Sequence, residues 1–389
     1  MSSDLLSAEE RLRRVIALEV PDRVPTAPFI YHFAGTYAGV TSHELWSSRS
    51  RYDFAMEKTF AGVGPWDVYY PVNPVNPGAY LFVLPMKLRL PGIDLPAESI
   101  FQVVEEPLLS SGIYRQVTED RRSGPMRRYI EFLLDIGCAA RAKPRGGLAA
   151  RLRGALPLLK QAVAWRAEFA RWAARGVAVQ HGLCLEAPFD TLSLSRGLTD
   201  FSYDLMGDPA AIGEAVLDLS EGFVAFADMV TRLTRVRRML VFCHRTSNDF
   251  ISPTHFRDYA LPSLRRIVNG LVARGITPFL HCDGNWDRNL EHLRELPTGE
   301  VVLQFDGRTD IFRAKEVLGS QFCLLGDVPA TMLAFGSQDE VETYCRKLIE
   351  KVGKDGGFIL GAGCEVAPNA RPENVKAMLA SVHQYGRYS

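Results

Sequence analysis

From about residue 176 onward, short apolar runs alternate with longer helical patterns, and this alternation limits the possible folds more than any other feature. The strand candidates are GVAVQHGLCLEAP (176–188), RMLVFCHRTSND (238–249), ITPFLHCDGN (276–285), EVVLQFDGRTD (300–310), QFCLLGDVPA (321–330) and GGFILGAGCEVAP (356–368). Between them lie the helical segments PAAIGEAVLDLSEGFVAFADMVTRL, SPTHFRDYALPSLRRIVNGLVARG, WDRNLEHLREL, IFRAKEVLG and DEVETYCRKLIEKVGK. Strands that alternate with helices build repeated strand–helix–strand units and a parallel sheet. RVPTAPFIY (23–31) reads as another buried strand, and one more is expected in the middle of the chain, so the count approaches eight. The expected fold is an α/β (β/α)8 TIM barrel rather than an open doubly wound sheet. No GxGxxG follows the first strand, which removes the simplest dinucleotide site.

Two regions stand outside the rhythm. Ser7 with Glu10 makes a capping-box pattern before AEERLRRVIAL, so an N-terminal helix is expected over roughly 7–20, ending at Pro21. Residues 64–125 are rich in Pro and Gly and read as loops with a small β excursion, including the runs Leu81–Leu84 and Ile113–Val117. The stretch 144–175 reads as helices whose arginines form a solvated face. The chain 1–389 is thus expected to be a single barrel domain with a lid-like insertion at about 64–175. Trp66, Tyr69, Tyr70 and Tyr80 there are either an apolar lid or ordinary packing.

Composition narrows the function classes. Lys+Arg and Asp+Glu number 45 each, so no net positive charge favours nucleic acid. No run of ~18 uncharged apolar residues suggests a membrane span. The start MSSDLLSAEERLRRV lacks the pattern of a secretory leader, and a cytoplasmic location is expected. The seven cysteines are scattered and expected to be reduced, and the absence of a CxxC pair argues against a zinc ribbon.

Barrel enzymes place their chemistry at the carboxyl ends of the strands. The polar residues at those positions are His181, Glu186, His244 with Asn248 and Asp249, His281 with Asp283, Asp306, Asp327, and Cys364 with Glu365. In FLHCDGN, His281 and Asp283 are two apart on an extended strand and share a face, while Cys282 points away. Cys364 ends the last strand. A histidine, a carboxylate and a thiolate with one open position suit catalytic zinc. The same residues also suit a strand-end histidine bonded to its neighbouring Asp283, with Cys364 as a small packing residue. His244 is a candidate proton donor, or a satisfied histidine. Tyr31, His32 and Asp249 are candidates for substrate binding, with Tyr37 nearby. Gly361 and Gly363 around Cys364 fit close backbone approach.

FLHCDGN, LQFDGRTDIFRAKEVLG, LLGDVPATMLAFGSQDEV and GGFILGAGCEVAPNARPENVKAM together resemble the C-terminal half of the uroporphyrinogen decarboxylase superfamily. AEERLRRVIALEVPDRVPTAP and APFDTLSLSRGLTDFSYDLMGDPAAI resemble it too. The resemblance implies a (β/α)8 barrel. True decarboxylases of this superfamily carry an Arg-rich segment after the first strand to hold substrate carboxylates; here the stretch is IYHFAGTYAG, without Arg. The other branch, the cobalamin-linked methyltransferases, holds zinc with an HxC pair and a later Cys. The resemblance places His281 on the family His and Cys364 on the late Cys, with Asp283 in place of the middle Cys. It also places Asp306 near the reacting centre, to complete the metal shell, orient His281 or donate a proton; capping the next helix is the alternative. Asp327, where relatives often have Asn, is expected to be structural.

A carboxylate in place of a thiolate leaves zinc more Lewis acidic, which suits polarising an ether oxygen. The expected activity is therefore methyl transfer from a small methyl donor, an aromatic methyl ether in an O-demethylation, to a corrinoid. The chain lacks a DxHxxG-type motif, so the corrinoid is expected on a partner protein. Methyl transfer from methylcobamide to a thiol or folate, decarboxylation, and a non-catalytic binding role stay open, as does a homodimer.

Overall fold

The computed structural model describes residues 4–71, 84–119, 123–140 and 148–388. Ten strands are present among them: β1 (Val68–Tyr69), β2 (Lys87–Arg89), β3 (Gln102–Val104), β4 (Ala178–Val179), β5 (Leu183–Glu186), β6 (Arg238–Cys243), β7 (Thr277–Cys282), β8 (Val302–Phe305), β9 (Cys323–Val328) and β10 (Phe358–Ala362). Strands β5 to β10 form one six-stranded parallel sheet in chain order. Each falls inside a strand expected from the sequence. Helices cover this sheet, so its strands are nearly all apolar; Val302, Leu303 and Phe305 of β8 are wholly buried.

Backbone bonds carry the circuit onward from both edges of the sheet. Beyond β10, Ala27 N donates to Leu360 O and Leu360 N donates to Pro25 O, while Phe29 bridges Glu365 in parallel. Val68 N then donates to Thr26 O, β1 pairs with β4, and Gly182 N donates to Arg238 O. Segment 24–30, β1, the broken run β4–β5 and β6 to β10 therefore supply the eight staves of a TIM-barrel-like fold. The missing middle stave is β1.

The helix Ala8–Ile16 precedes the first stave, capped by Ser7, which accepts from Glu10 N. It is shorter than expected, because Leu18 turns the chain with a positive φ of 62°. In the insertion, β2 and β3 pair antiparallel, as the β excursion required. Ile113–Val117 instead lies in a helix, Ile113–Glu119, which buries Ile113, Tyr114 and Val117 at helical spacing. Helices Pro125–Ala140 and Leu148–Ala174 follow. Residues Leu81 to Val83 and Tyr80 fall outside the described part. Trp66, Tyr69 and Tyr70 are buried packing residues rather than a lid, with Tyr70 stacked on Phe29 at 3.8 Å and Tyr69 on Trp172 at 4.6 Å.

The other expected helices are Pro209–Thr234, Pro253–Val272 with a wide turn at Phe256–Ala260, Ile311–Leu318 and Gln338–Lys351. WDRNLEHLREL shrinks to Leu290–Leu293. Its backbone closes i→i+3 bonds, such as Asn289 N to Trp286 O and Leu296 N to Leu293 O, and so tightens around the buried Trp286, Leu290, Leu293 and Leu296. Among the described residues no helix is long and apolar enough to cross a membrane, and all seven cysteines are free.

Candidate active site

The parallel register lines up the carboxyl ends of β5 to β10. Phe242 of β6 sits beside His281 of β7, and His281 beside Gln304 of β8. Because side chains alternate along a strand, His281 and Asp283 emerge on one face. Nε2 of His281 lies 2.9 Å from Oδ1 of Asp283 and 3.6 Å from Sγ of Cys364, which follows β10. One donor atom from each of these three residues lies within 4.8 Å of the other two. Cys282 stays outside the cluster, buried, with Sγ 3.7 Å from Leu280 O.

The cluster extends through His244. Its Nε2 lies 3.0 Å from Oδ2 of Asp283, and its Nδ1 lies 3.0 Å from Oε2 of the buried Glu186. Glu186, at the end of β5, thus begins a line of alternating carboxylates and imidazoles that ends on a thiol. Burial opposes charge on His244, but Glu186 and Asp283 together raise its proton affinity well above the usual imidazole value. Burial likewise opposes charge on His281, and Asp283 and Cys364 more than offset it. Burial alone would raise Asp283, yet the two imidazoles hold it well below the ordinary carboxylate range.

Asp306 adjoins this line without joining the three-residue cluster. Its Oδ2 accepts from Gly284 N at 2.8 Å and its Oδ1 from Arg308 N at 2.9 Å. Burial still raises its pKa, against those two N–H groups. The following helix is capped by Asp310, not Asp306. Asp249 is exposed and ties loops together: it accepts from Asn285 N at 3.0 Å and lies 3.5 Å from Arg308. Asp327 accepts from Tyr344 OH at 2.8 Å, and burial lifts its pKa to about 6. His181 is buried against Tyr70, and burial lowers its pKa to about 3.

At the first stave, Oε1 of Glu365 accepts from His32 N at 2.8 Å and sits 2.9 Å from His32 Nδ1. Tyr31 packs edge-on to His32 at 4.4 Å, and Phe101 lies at 5.8 Å. The sequence pattern marks Glu186 and Glu365 only as strand-end polar residues and does not pair them with His244 and His32. Gln304 was missed altogether; it reaches 3.5 Å to Gly363 O, just before Cys364. A polar residue in an otherwise apolar strand was the available signal.

The uroporphyrinogen decarboxylase (URO-D) profile matches residues 169–385, more than half of the chain. The chain belongs to the uroporphyrinogen decarboxylase family. Two curated URO-D relatives are the uroporphyrinogen decarboxylases of Geobacter metallireducens and Pelobacter propionicus. The first is 25% identical over 185 residues, 46% of this chain and 53% of the relative. The second is 29% identical over 142 residues, 36% of this chain and 41% of the relative. The chain spans about half or less of the length of these relatives. A methyltransferase from Methanosarcina mazei superposes with a TM-score of 0.67 at 15% identity, covering 98% of this chain and 99% of the other. That likeness is one of fold, shared over 98% of this chain.

Proposed function

We propose that this URO-D family member is a methyltransferase that moves a methyl group from a small aromatic methyl ether to the corrinoid of a partner protein, with zinc held by His281, Asp283 and Cys364. The convergence of these three donors carries the reading. Imidazole nitrogen, carboxylate oxygen and thiolate sulfur are the atoms zinc takes, and three protein ligands leave a position for substrate. His281 Nε2 faces both the Asp283 oxygen and the Cys364 sulfur, so the three donor atoms point at a common centre. When bound, zinc would supply Lewis-acid polarisation of the ether oxygen.

The residues of the chain account for the rest. The carbon–oxygen bond breaks with its electron pair left on oxygen, and the resulting oxyanion takes one proton. His244, kept protonated between Glu186 and Asp283, is the proton donor best placed along the line, and Asp306 is the alternative acid. Apolar faces such as Phe242, 5.5 Å from His281 and 4.9 Å from His244, restrict water around the reacting oxygen. The names of the curated relatives suggest decarboxylation instead. The stretch 30–39 bears no arginine, which weighs against a substrate with many carboxylates.

The test is elemental analysis of the purified protein and its His281→Ala, Cys364→Ala and double variants, with methyl transfer to a reduced corrinoid protein assayed alongside. One zinc per chain is expected in the wild type and none in the double variant. Full occupancy in the double variant would end the assignment. Assays that offer methyl-corrinoid with thiols, and assays of carbon dioxide release, separate the two other reactions.

A further inference from the structure

The end of the barrel opposite the His281 cluster carries an open groove of about 1110 Å³. Arg238 and Thr277, the first residues of β6 and β7, line it, whereas His244 and Asp283 follow the far ends of those strands, about 20 Å away. Its floor is apolar and buried, formed by Val177, Ala178 and Val179 with Phe169. One wall is a face of the helix Leu148–Ala174. Val163, Ala167, Ala170 and Ala173 recur there at helical spacing over about 15 Å, and all four are exposed. Five arginines reach the same groove from three directions: Arg13 of the helix Ala8–Ile16, Arg166, and Arg235, Arg237 and Arg238 after the helix Pro209–Thr234. Two of them are already engaged, Arg238 with Glu9 at 2.6 Å and Arg237 with Asp228 at 2.7 Å. The side chains of Arg13, Arg166 and Arg235 have no hydrogen-bond or ion-pair partner among the described residues. Against these three, Glu300 is the one lining carboxylate outside an ion pair. A cationic rim therefore stands over an apolar floor and wall.

We propose that this groove binds a long-chain organic anion, with its apolar chain laid along Val163, Ala167 and Ala170 and its carboxylate or phosphate held by the unpaired arginines. Either headgroup accepts the paired N–H donors of a guanidinium. A neutral chain leaves those donors to water, and a small anion leaves the apolar wall wet, so the two features together select an amphipathic anion. The volume lies just above the usual range of about 300–1,000 Å³ for small-molecule sites, and the groove is open along its length, which suits an extended chain. The bound molecule ties the N-terminal helix, the helix Leu148–Ala174 and the start of β6 together. No residue of this site lies at the mouth, so the assignment is independent of the methyl-transfer reading.

The experiment is calorimetric binding of decanoate, decyl phosphate, decanol and acetate to the full chain, below the concentrations at which the amphiphiles self-associate. One decanoate or decyl phosphate is expected per chain, with decanol and acetate each weaker by about tenfold or more, since bonds to charged groups outweigh neutral ones. The tighter of the two anions identifies the headgroup, and its binding should raise the melting temperature. The double variant Arg166→Gln, Arg235→Gln is expected to weaken the anion by about tenfold or more and to leave decanol unchanged. Ala170→Trp fills the groove from an exposed position and is expected to abolish binding of both. The proposal is overturned if neither anion binds, if decanol or acetate binds as tightly, or if either variant binds the anion as the wild type does. A wild-type dimer in sedimentation that Ala170→Trp dissociates and decanoate does not would put a second copy of the chain in the groove, and would overturn it as well.

Discussion

The sulfur of Cys364 stands 3.6 Å from Nε2 of His281, a residue 83 positions earlier in the chain. Tetrahedral zinc with bonds of about 2.05 Å to nitrogen and about 2.3 Å to sulfur sets those two donors about 3.6 Å apart. The nitrogen–sulfur edge thus matches the length that a zinc ion held there would require. The 2.9 Å contact of His281 with Asp283 is shorter than the edge of about 3.4 Å that the same geometry requires, so the carboxylate would have to swing outward to hold zinc. Cobalt(II)-loaded protein should therefore show a thiolate-to-metal charge-transfer band. Cys364→Ser should lose it and Cys282→Ser should keep it, since Cys282 lies outside the cluster. Asp283→Cys should tighten zinc binding by supplying a softer ligand, read by competition with a chelator.

Glu186 should matter without belonging to the His281–Asp283–Cys364 cluster. It faces the nitrogen of His244 opposite Asp283 and helps keep that ring protonated. A protonated His244 that acts as acid loses its effect as pH rises through its pKa, so a raised pKa keeps it active at neutral pH. Glu186→Gln removes one of the two supporting charges, and the alkaline limb of the pH–rate profile should move to lower pH. Turnover at neutral pH should fall about 10–100-fold, the usual effect of losing an outer partner, with zinc content retained. An unmoved limb would show that Glu186 only packs.

Some of this was legible in the sequence and some was not, for definite reasons. Both faces of a parallel sheet are covered, so β5 to β10 appear as apolar runs that a linear pattern reveals. The two-residue β1 is too short to show, and β4–β5 breaks around His181 and Gly182. His281 and Asp283 were a visible pair because alternation along one strand is local. The contacts of His244 with Glu186 and of His32 with Glu365 join different staves. They depend on register around the barrel, which no spacing within a segment encodes.

Stability should fall from acid toward neutral pH through Asp190. This carboxyl is fully buried, accepts from Arg245 N at 2.5 Å, and burial lifts its pKa from 3.8 to about 7. Its folded pKa lies above its unfolded one, so the folded chain binds the extra proton. The stabilisation is complete below about pH 4 and is lost as pH rises through about 7. Asp190→Asn has no such proton to lose. The stability of the variant relative to wild type should therefore rise between pH 4 and 8, by at most about 4 kcal/mol, measured by denaturant unfolding at several pH values. A constant difference across that range would refute the argument.

The approach of β10 to the loop after β8 leaves no room at Gly363. A Cβ there would meet the carbonyl carbon and oxygen of Asp306, each at 2.5 Å. Both contacts are backbone, so neither can rotate aside. Gly363→Ala must push the chain before Cys364 away from Asp306, and overpacking of this kind costs about 1–3 kcal/mol. The same displacement carries the sulfur of Cys364 away from His281. The variant should therefore lose zinc affinity as well as stability, and added zinc should restore less of its melting temperature than in the wild type. Gly207→Ala is the control, because a Cβ at that helix end meets nothing within 4 Å. It should leave both the zinc affinity and the zinc-dependent rise in melting temperature unchanged.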